Sequence, residues 1–409
     1  MKHLRPYQTK AIDILKKHNK GKVIFPTGAG KTIVMLEDAK QRILSSSKPL
    51  NFVIVAPKIL LAAQLASQFQ SYLKDQDIYI SHVHSGENGT TDVNHIKVGC
   101  QVIKSIGKHH FMFTTYQSLP RINDAGIEID FCYFDEAHHS TKKNNFVGVA
   151  QTSHVSKNTF FFTATPKHND TESSMCNSHV YGGNLISIPA TDLVSGGYII
   201  PPQIRTYTAE TARTKDNAPF VDAENIINFL NSIDEEIQNP KVLVASPSTQ
   251  VIVNMFSETD LLMELSARNF TVCHITSKYG AIINNHKVTR EEFFERLNAM
   301  GADDNARFII FHHSIISEGI DIAGMNCALL LRNLPYIDMV QTIGRIIRMH
   351  KQDYQDIQNG LIVPGDFSKY RKPCGIVSVP VKNNYGDAIA RRLQSVVDAI
   401  FVRGETPVA

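Results

Sequence analysis

The chain has 409 residues, 43% of them hydrophobic and 20% charged, which is too long for one ordinary core and too apolar for a disordered chain. A net charge of +3 permits a nucleic-acid partner without requiring one, because phosphate binding can rest on a local basic groove. No apolar run approaches the roughly 18 residues of a membrane span. The N-terminal MKHLRPYQTK lacks the apolar centre of a signal peptide, so the expected location is the cytoplasm, or the nucleoid or nucleus of a host, with no membrane partner.

In chain order, the first signal is KVIF (22–25), a short apolar run that leads into PTGAGKT (26–32), with a helix starting near Lys31. Further strands are expected at NFVIVA (51–56), FMFTT (111–115), FCYFDE (131–136) and TFFFTA (159–164), and then at KVLVAS (241–246), FTVCHI (270–275), RFIIFH (307–312) and ALLLRN (328–333). Helices are expected over 58–74, 222–238, 248–268, 290–300 and 337–349. Continuous rather than alternating apolarity predicts strands buried on both faces, hence an α/β fold of mostly parallel sheets covered by helices. The stretch ISIPATDLVSGGYIIPPQI (186–204), rich in Gly and Pro, carries neither period and marks a joint. The expected division is 1–188 for a first domain, 189–204 for a linker, 205–370 for a second domain, and 371–409 for a short C-terminal strand (GIVSVPV) and helix. Residues 276–298 are expected to hold no more than a loop and one helix.

Six cysteines, at 100, 132, 176, 273, 327 and 374, form no C-x-x-C pair and are read as buried small apolar residues. The pairs His109–His110, His138–His139 and His312–His313 lack H-E-x-x-H spacing or a cysteine companion, and point to polar coupling or surface positions rather than to metal.

The loop PTGAGKT follows a buried strand and opens a helix, so its backbone N–H groups form an anion cradle. Thr27, Gly28, Ala29 and Gly30 line it, Lys31 reaches the β/γ-phosphates of ATP, and Thr32 places a hydroxyl on Mg²⁺. The usual outer glycine is replaced by Phe25, whose side chain at a strand end can point into the core. A lone G-x-G-K-T is also compatible with coincidence. FCYFDEAHHS then sets Asp135 and Glu136 at the end of an apolar strand, where α/β sheets hold ligands. Asp135 suits Mg²⁺ and Glu136 suits polarising an attacking water. Two acids there would be a costly choice for a mere surface turn.

With these anchors the remaining pieces appear in a fixed order, over about residues 4 to 350, and the chain resembles the superfamily 2 helicases and translocases of DEAD/DEAH type. It is most similar to the branch with helicase subunits of restriction enzymes, XP-B-type repair helicases and phage branch-migration helicases. The resemblance implies two tandem RecA-like domains with ATP hydrolysed at the cleft between them. It implies adenine recognition by Arg5 and Gln8 of LRPYQ (4–8), a motif I that often lacks the outer glycine, and motif II in DEAHH. Nucleic-acid contacts are implied for Lys58 of APKILLAAQ, Thr115 and Gln117 of TTYQSL, Thr163 and Thr165 of TATP, and Ser248 of SPSTQ. Each of these also suits a core or capping role. In the second domain the resemblance implies Gly319 and Asp321 of SEGIDIAG at the nucleotide sugar. Gln341, Arg345 and Arg348 of QTIGRIIR are implied as catalytic, with the two arginines three apart on one helical face.

The implied activity is that of an ATP-dependent helicase or translocase, acting on DNA rather than RNA by analogy with its branch, in fork remodelling, branch migration or unwinding. Alternatives are an RNA motor, the ATPase subunit of a larger complex that translocates without unwinding, and a P-loop enzyme of another kind. The last leaves QTIGRIIR and SEGIDIAG unexplained. A minimal motor core is expected, as a monomer, with substrate choice open to a protein partner.

Overall fold

The computed structural model describes residues 4–276, 278–313, 322, 324–382 and 386–408. The chain divides into two compact units, residues 1–189 with 406–409, and residues 190–405.

The first unit holds strands β1 (Lys20–Ile24), β2 (Asn51–Ala56), β3 (Ile78–Val83), β4 (His109–Thr115), β5 (Phe131–Phe134), β6 (Asn158–Thr163) and β7 (Gly183–Ser187). They form one sheet in the order β3-β4-β2-β5-β6-β1-β7, every pairing parallel. The interior strands are buried almost throughout, as their unbroken apolar runs require, and stack rings such as Phe52 on Phe111 and Phe134 on Phe161. β3 is an edge strand whose Ile78, Ser81 and His82 are only half-buried, so it carries no continuous apolar run and does not stand out in the sequence. Parallel order brings the ends of β1, β6 and β5 side by side. The turn after β1, the residues after β5 and the last residue of β6 therefore share one rim.

The helix Lys31–Ser45 is fastened to that sheet from below. Asp38 is fully buried; its carboxylate accepts the Tyr133 hydroxyl at 2.6 Å and Arg42 Nε at 3.3 Å. Burial raises the Asp38 carboxyl above its usual range, and Arg42 and the Tyr133 hydrogen bond draw it back. Tyr133 stands two residues before Asp135, so one hydrogen bond fixes the register between the phosphate-loop helix and the acid-bearing strand.

The second unit holds β8 (Pro202–Thr208), β9 (Lys241–Ala245), β10 (Thr271–Thr276), β11 (Gly280–Ile283), β12 (His286–Val288), β13 (Phe308–His312), β14 (Cys327–Leu330) and β15 (Gly375–Val381), in the order β12-β11-β10-β13-β9-β14-β15-β8. The run from β10 to β8 is parallel, while β11 and β12 form an antiparallel hairpin on β10. Four expectations change. The segment 276–298 holds that hairpin in addition to a helix, because Asn284 (φ 45°) and Asn285 (φ 65°) take the two left-handed positions of a tight hairpin turn. The stretch 248–268 is two helices, Thr249–Glu258 and Leu261–Ala267. The strand after 370 is no appendage: β15 sits between β14 and β8 within the sheet. The joint 189–204 opens with a helix, Ala190–Ser195, that belongs to the second unit. Of the cysteines, Cys176 is exposed and Cys374 half-buried; the other four are buried.

Tyr133→Phe leaves one oxygen of a buried carboxylate without its donor, at a cost of about 1–3 kcal/mol. Hydrogen exchange of β5 and Lys31–Ser45 amides is the check, with protection falling about tenfold or more; unchanged protection would show that the pair does not couple helix to strand.

Candidate active site

The phosphate-loop candidate is built by two left-handed glycines. Gly28 (φ 86°) and Gly30 (φ 82°) turn the chain where other residues are strained, and Gly30 opens the helix Lys31–Ser45. A Cβ at position 30 would lie 2.5 Å from Gln8 Nε2, so the loop and the N-terminal helix Pro6–Leu15 approach as closely as glycine allows. Phe25, which stands where the signature has its outer glycine, is fully buried in the core. Lys31 is buried, its Nζ 3.4 Å from the Phe25 carbonyl oxygen to which it donates. Thr27 Oγ1 is buried with no hydrogen-bond partner among the described residues, and Thr32 is half-buried at the first turn. Two αL glycines, a first-turn lysine and an orphaned threonine oxygen fit the phosphates of a nucleotide; Thr32 with Asp135 fits a divalent cation.

The Ala29 carbonyl accepts from both Gln8 Nε2 at 3.1 Å and the Tyr7 hydroxyl at 2.9 Å. Gln8 Oε1 accepts the Arg5 backbone N–H at 3.0 Å, and Arg5 Nη1 donates to the Tyr7 hydroxyl at 2.8 Å. The Gln8 amide, expected to meet a base, thus carries the loop. Tyr7 is a support that no motif marks; its ring also meets Phe25 edge-on at 5.5 Å. The only hint in the sequence is its place beside Gln8.

Asp135 and Glu136 follow β5. Glu136 has φ 44° and ψ 55°, a left-handed backbone that a side-chain-bearing residue seldom adopts. Its Oε2 is buried without a hydrogen-bond partner among the described residues. Burial, reinforced by the Glu136 charge, pushes the Asp135 carboxyl up to about 7 against the pull of Lys31. The Tyr116 hydroxyl holds the Asp135 carbonyl at 2.8 Å.

His138 is the residue that motif spacing undervalued. Its Nδ1 lies 3.2 Å from Thr163 Oγ1 and 3.4 Å from Thr165 Oγ1, and 3.6 Å from Glu136 Oε2, too far for a hydrogen bond. The Thr165 backbone N–H closes the set on Thr163 Oγ1 at 3.1 Å. Burial first, then Lys31, Lys142 and Lys167, push His138 down to about 3, so the ring is neutral. Burial, His138, Lys142 and Lys58 likewise push His139 down to about 3, against Glu136. Lysines 31, 58, 142 and 167 therefore concentrate positive charge around this rim.

The other candidates separate into two kinds. Thr115 is buried and caps a turn, accepting Ser118 N–H at 3.2 Å, and Ser248 caps the helix Thr249–Glu258 by accepting Val251 N–H at 3.1 Å. Thr163 and Thr165 are fully buried on His138. Gln117 is exposed, and Lys58 is half-buried at the start of the helix Ile59–Tyr72.

In the second unit, Gln341 and Arg345 are buried in the helix Tyr336–Ile346. Arg348 does not share their helical face. The helix ends at Ile346, because the Ile347 carbonyl accepts Ile200 N–H at 2.9 Å and Arg348 bridges to Ile199. His312, fully buried at the end of β13, has both ring nitrogens without a hydrogen-bond partner among the described residues; burial and then the Arg345 charge push it down to about 3. Gly319 and Asp321 lie outside the described residues.

A family model described as the type III restriction enzyme res subunit matches residues 1–168. Over 395 residues the chain is 23% identical to the DNA 3′–5′ translocase XPB2 of Sulfurisphaera tokodaii, covering 88% of this chain and 82% of that one. Its fold is similar to that of the ATP-dependent type ISP restriction-modification enzyme LlaBIII bound to DNA, with TM-score 0.73 and 16% identity, over 100% of this chain and 31% of that one. It is also similar to the helicase Lhr of Mycobacterium smegmatis bound to ssDNA and AMP-PNP, with TM-score 0.62 and 14% identity, over 97% of this chain and 48% of that one. The chain thus spans less than a third of the restriction-modification enzyme and about half of Lhr. No helix among the described residues is long and apolar enough to cross a membrane.

The raised Asp135 carboxyl gives a signed pH effect. A proton held below neutrality competes with a cation, so the Mg²⁺ requirement of ATP hydrolysis rises as pH falls from about 8 to about 6, approaching about tenfold per unit below the pKa. Mg²⁺ titrations at the two ends of that range check it; equal half-saturation would remove Asp135 from the cation site.

Proposed function

We propose that the chain is a helicase-type motor of superfamily 2, akin to the restriction-enzyme res subunits and the XPB-type translocase it resembles, and that it is a DNA-stimulated ATPase that moves along or remodels DNA. One observation carries the reading. Lys31, the Asp135–Glu136 pair and the Thr163–Thr165–His138 cluster stand at the ends of the neighbouring strands β1, β5 and β6, with buried oxygens of Thr27 and Glu136 unpartnered among the described residues.

In this reading the loop N–H groups and Lys31 bind the phosphates, and Thr32 and Asp135 hold Mg²⁺, which neutralises charge on the phosphoryl oxygens when bound. Glu136 accepts the proton of the attacking water. Arg345 and Arg348 stabilise the charge that develops in the transition state, a contribution on the order of 10³–10⁵ in rate for arginine fingers. The Thr163 and Thr165 hydroxyls report events at Glu136 to the DNA-contacting face through His138. DNA rather than RNA is supported by a relative described as a DNA translocase that aligns over most of both chains. Lysines 58, 142 and 167 suit a phosphate backbone, which positions a strand without reading its sequence. A second reading, the ATPase subunit of a larger assembly with specificity supplied by a partner, fits a chain whose fold matches 31% of a restriction-modification enzyme.

Steady-state ATPase at low and high salt, with single-stranded, duplex and forked DNA and with RNA, tests the proposal. Salt-sensitive stimulation by DNA is expected; stimulation by RNA alone moves the protein to the RNA motors, and indifference to every polymer removes the motor reading. Glu136→Gln is expected to bind ATP and lose turnover, and retained hydrolysis would end the proposed role of Glu136. Arg348→Ala is expected to lower stimulated kcat by about 100-fold or more; a loss of only a few-fold would exclude it as a finger.

A further inference from the structure

Arg348 lies beyond the end of the helix that carries Gln341 and Arg345, so helical geometry does not fix its position. Two backbone attachments do. One is the bridge to Ile199. The other is Lys372, whose Nζ donates to the Arg348 carbonyl at 2.7 Å and to the Met325 carbonyl, just before β14, also at 2.7 Å. Lys372 is itself held from the helix Lys351–Gln358: the fully buried Asp353 accepts the backbone N–H of Arg371 at 3.0 Å and of Lys372 at 3.1 Å. Arg371 Nη1 adds a bond to Asp356 at 2.8 Å.

We propose that Lys372 is the positioning residue for Arg348, a clamp that sets the arginine by tying its main chain to the start of β14 and, through Asp353, to the helix Lys351–Gln358. The inference rests on the proposed role of Arg348 in hydrolysis.

The chemistry at Lys372 supports a specific task. Burial pushes its ammonium down to about 7; Cys327 and Cys374 favour the charged form, and Arg348 and Lys241 oppose it. Among the described residues its Nζ makes no ion pair with a carboxylate, only the two carbonyl contacts. A desolvated ammonium is a costly way to satisfy two carbonyls, which a water would also satisfy where the chain is free to move. Two other lysines share the device. Lys22 donates to the Met175 and Gly182 carbonyls at 2.7 and 3.0 Å, and Lys241 to those of Gly301 and Asp303 at 2.9 and 2.7 Å. Lys22 fastens the segments around Met175 and Gly182 to β1, and Lys241 fastens the end of the helix Arg290–Ala302 to the start of β9. Lys372 alone of the three holds the carbonyl of a candidate catalytic side chain.

A positioning role separates from a structural one in kinetics. In the full chain, Lys372→Met is expected to lower DNA-stimulated kcat about tenfold with the KM for ATP within about twofold, since misplacement by about an ångström weakens transition-state contacts more than ground-state binding. Combined with Arg348→Ala, measured in single turnover, it is expected to add nothing, whereas Lys241→Met combined with Arg348→Ala is expected to add its own loss in full. Should Lys372→Met fail to fold, Lys372→Gln, which keeps one donor, reads the same coupling with a smaller loss. If Arg348→Ala proves active, the hydrolysis role of Arg348 is wrong. If Arg348→Ala is inactive but the Lys372 variants keep wild-type kcat, or their losses multiply with that of Arg348→Ala, the clamp is wrong and the hydrolysis role stands.

Discussion

A carboxyl buried beside a second carboxyl is costly, and the first unit is organised around that cost at Asp135 and Glu136. The strands beneath them are covered on both faces, so water screens little and each charge at the rim acts strongly on the others. Lys31 draws the Asp135 proton off, but burial and Glu136 outweigh it, and the net shift is upward. A cation held by Thr32 and Asp135, as proposed, would reverse that balance, and phosphates bound by Lys31 would satisfy the positive side. Under that proposal binding and ionisation form one equilibrium, in which the rim is most stable when both charges arrive together, as in a metal–nucleotide complex.

The same rim stores conformational strain. Glu136 is left-handed without being glycine, a backbone state that costs on the order of 1–3 kcal/mol unless the surroundings over-determine it. Those surroundings are visible: Tyr116 holds the preceding carbonyl, Asn145 holds the His139 carbonyl at 2.9 Å, and the Ser140 hydroxyl lies within hydrogen-bond reach of the Ala137 carbonyl and the Tyr181 hydroxyl. These bonds keep the Glu136 carboxylate where a relaxed turn would not put it. His138, neutral because it is buried among lysines, connects that turn to β6 by hydroxyl contacts rather than by charge. A neutral link can switch partners without moving a charge through a dry interior, which suits a relay between two sites.

How much of this could be read from the sequence follows from what each element must bury. β1, β2, β4, β5 and β6 declare themselves because central parallel strands need apolar side chains on both faces. β3 does not, since an edge strand tolerates Ser81 and His82. The β11–β12 hairpin was legible in principle: Asn-Asn between short apolar runs is a recognised turn signal, but it was overshadowed by the helical TREEFFERLN that follows. The phosphate loop and the acid pair were legible because chemistry fixes their residue types. Tyr7 and the loop-bound amide of Gln8 were not, because their partner is a carbonyl, and any residue supplies one. The same reason hides Lys372, whose acceptors are the main-chain oxygens of Arg348 and Met325.

Main-chain acceptors also explain why the second unit departs from its helical periodicity. Spacing of three places Arg345 and Arg348 together only while the helix lasts, and it stops at Ile346 because the Ile347 carbonyl and the Arg348 backbone are taken by Ile200 and Ile199. Arg345 is therefore placed by helix packing and feels His312, whereas Arg348 is placed by the segment leading to β8 and by Lys372. Two arginines on two different supports respond separately to any shift between helix and sheet. A packed helix moves as a body; a residue pinned at strand entrances moves with the sheet. A shift between helix and sheet therefore changes the separation of Arg345 and Arg348, so the proposed pairing of the two on one charge depends on helix and sheet holding a single relative position.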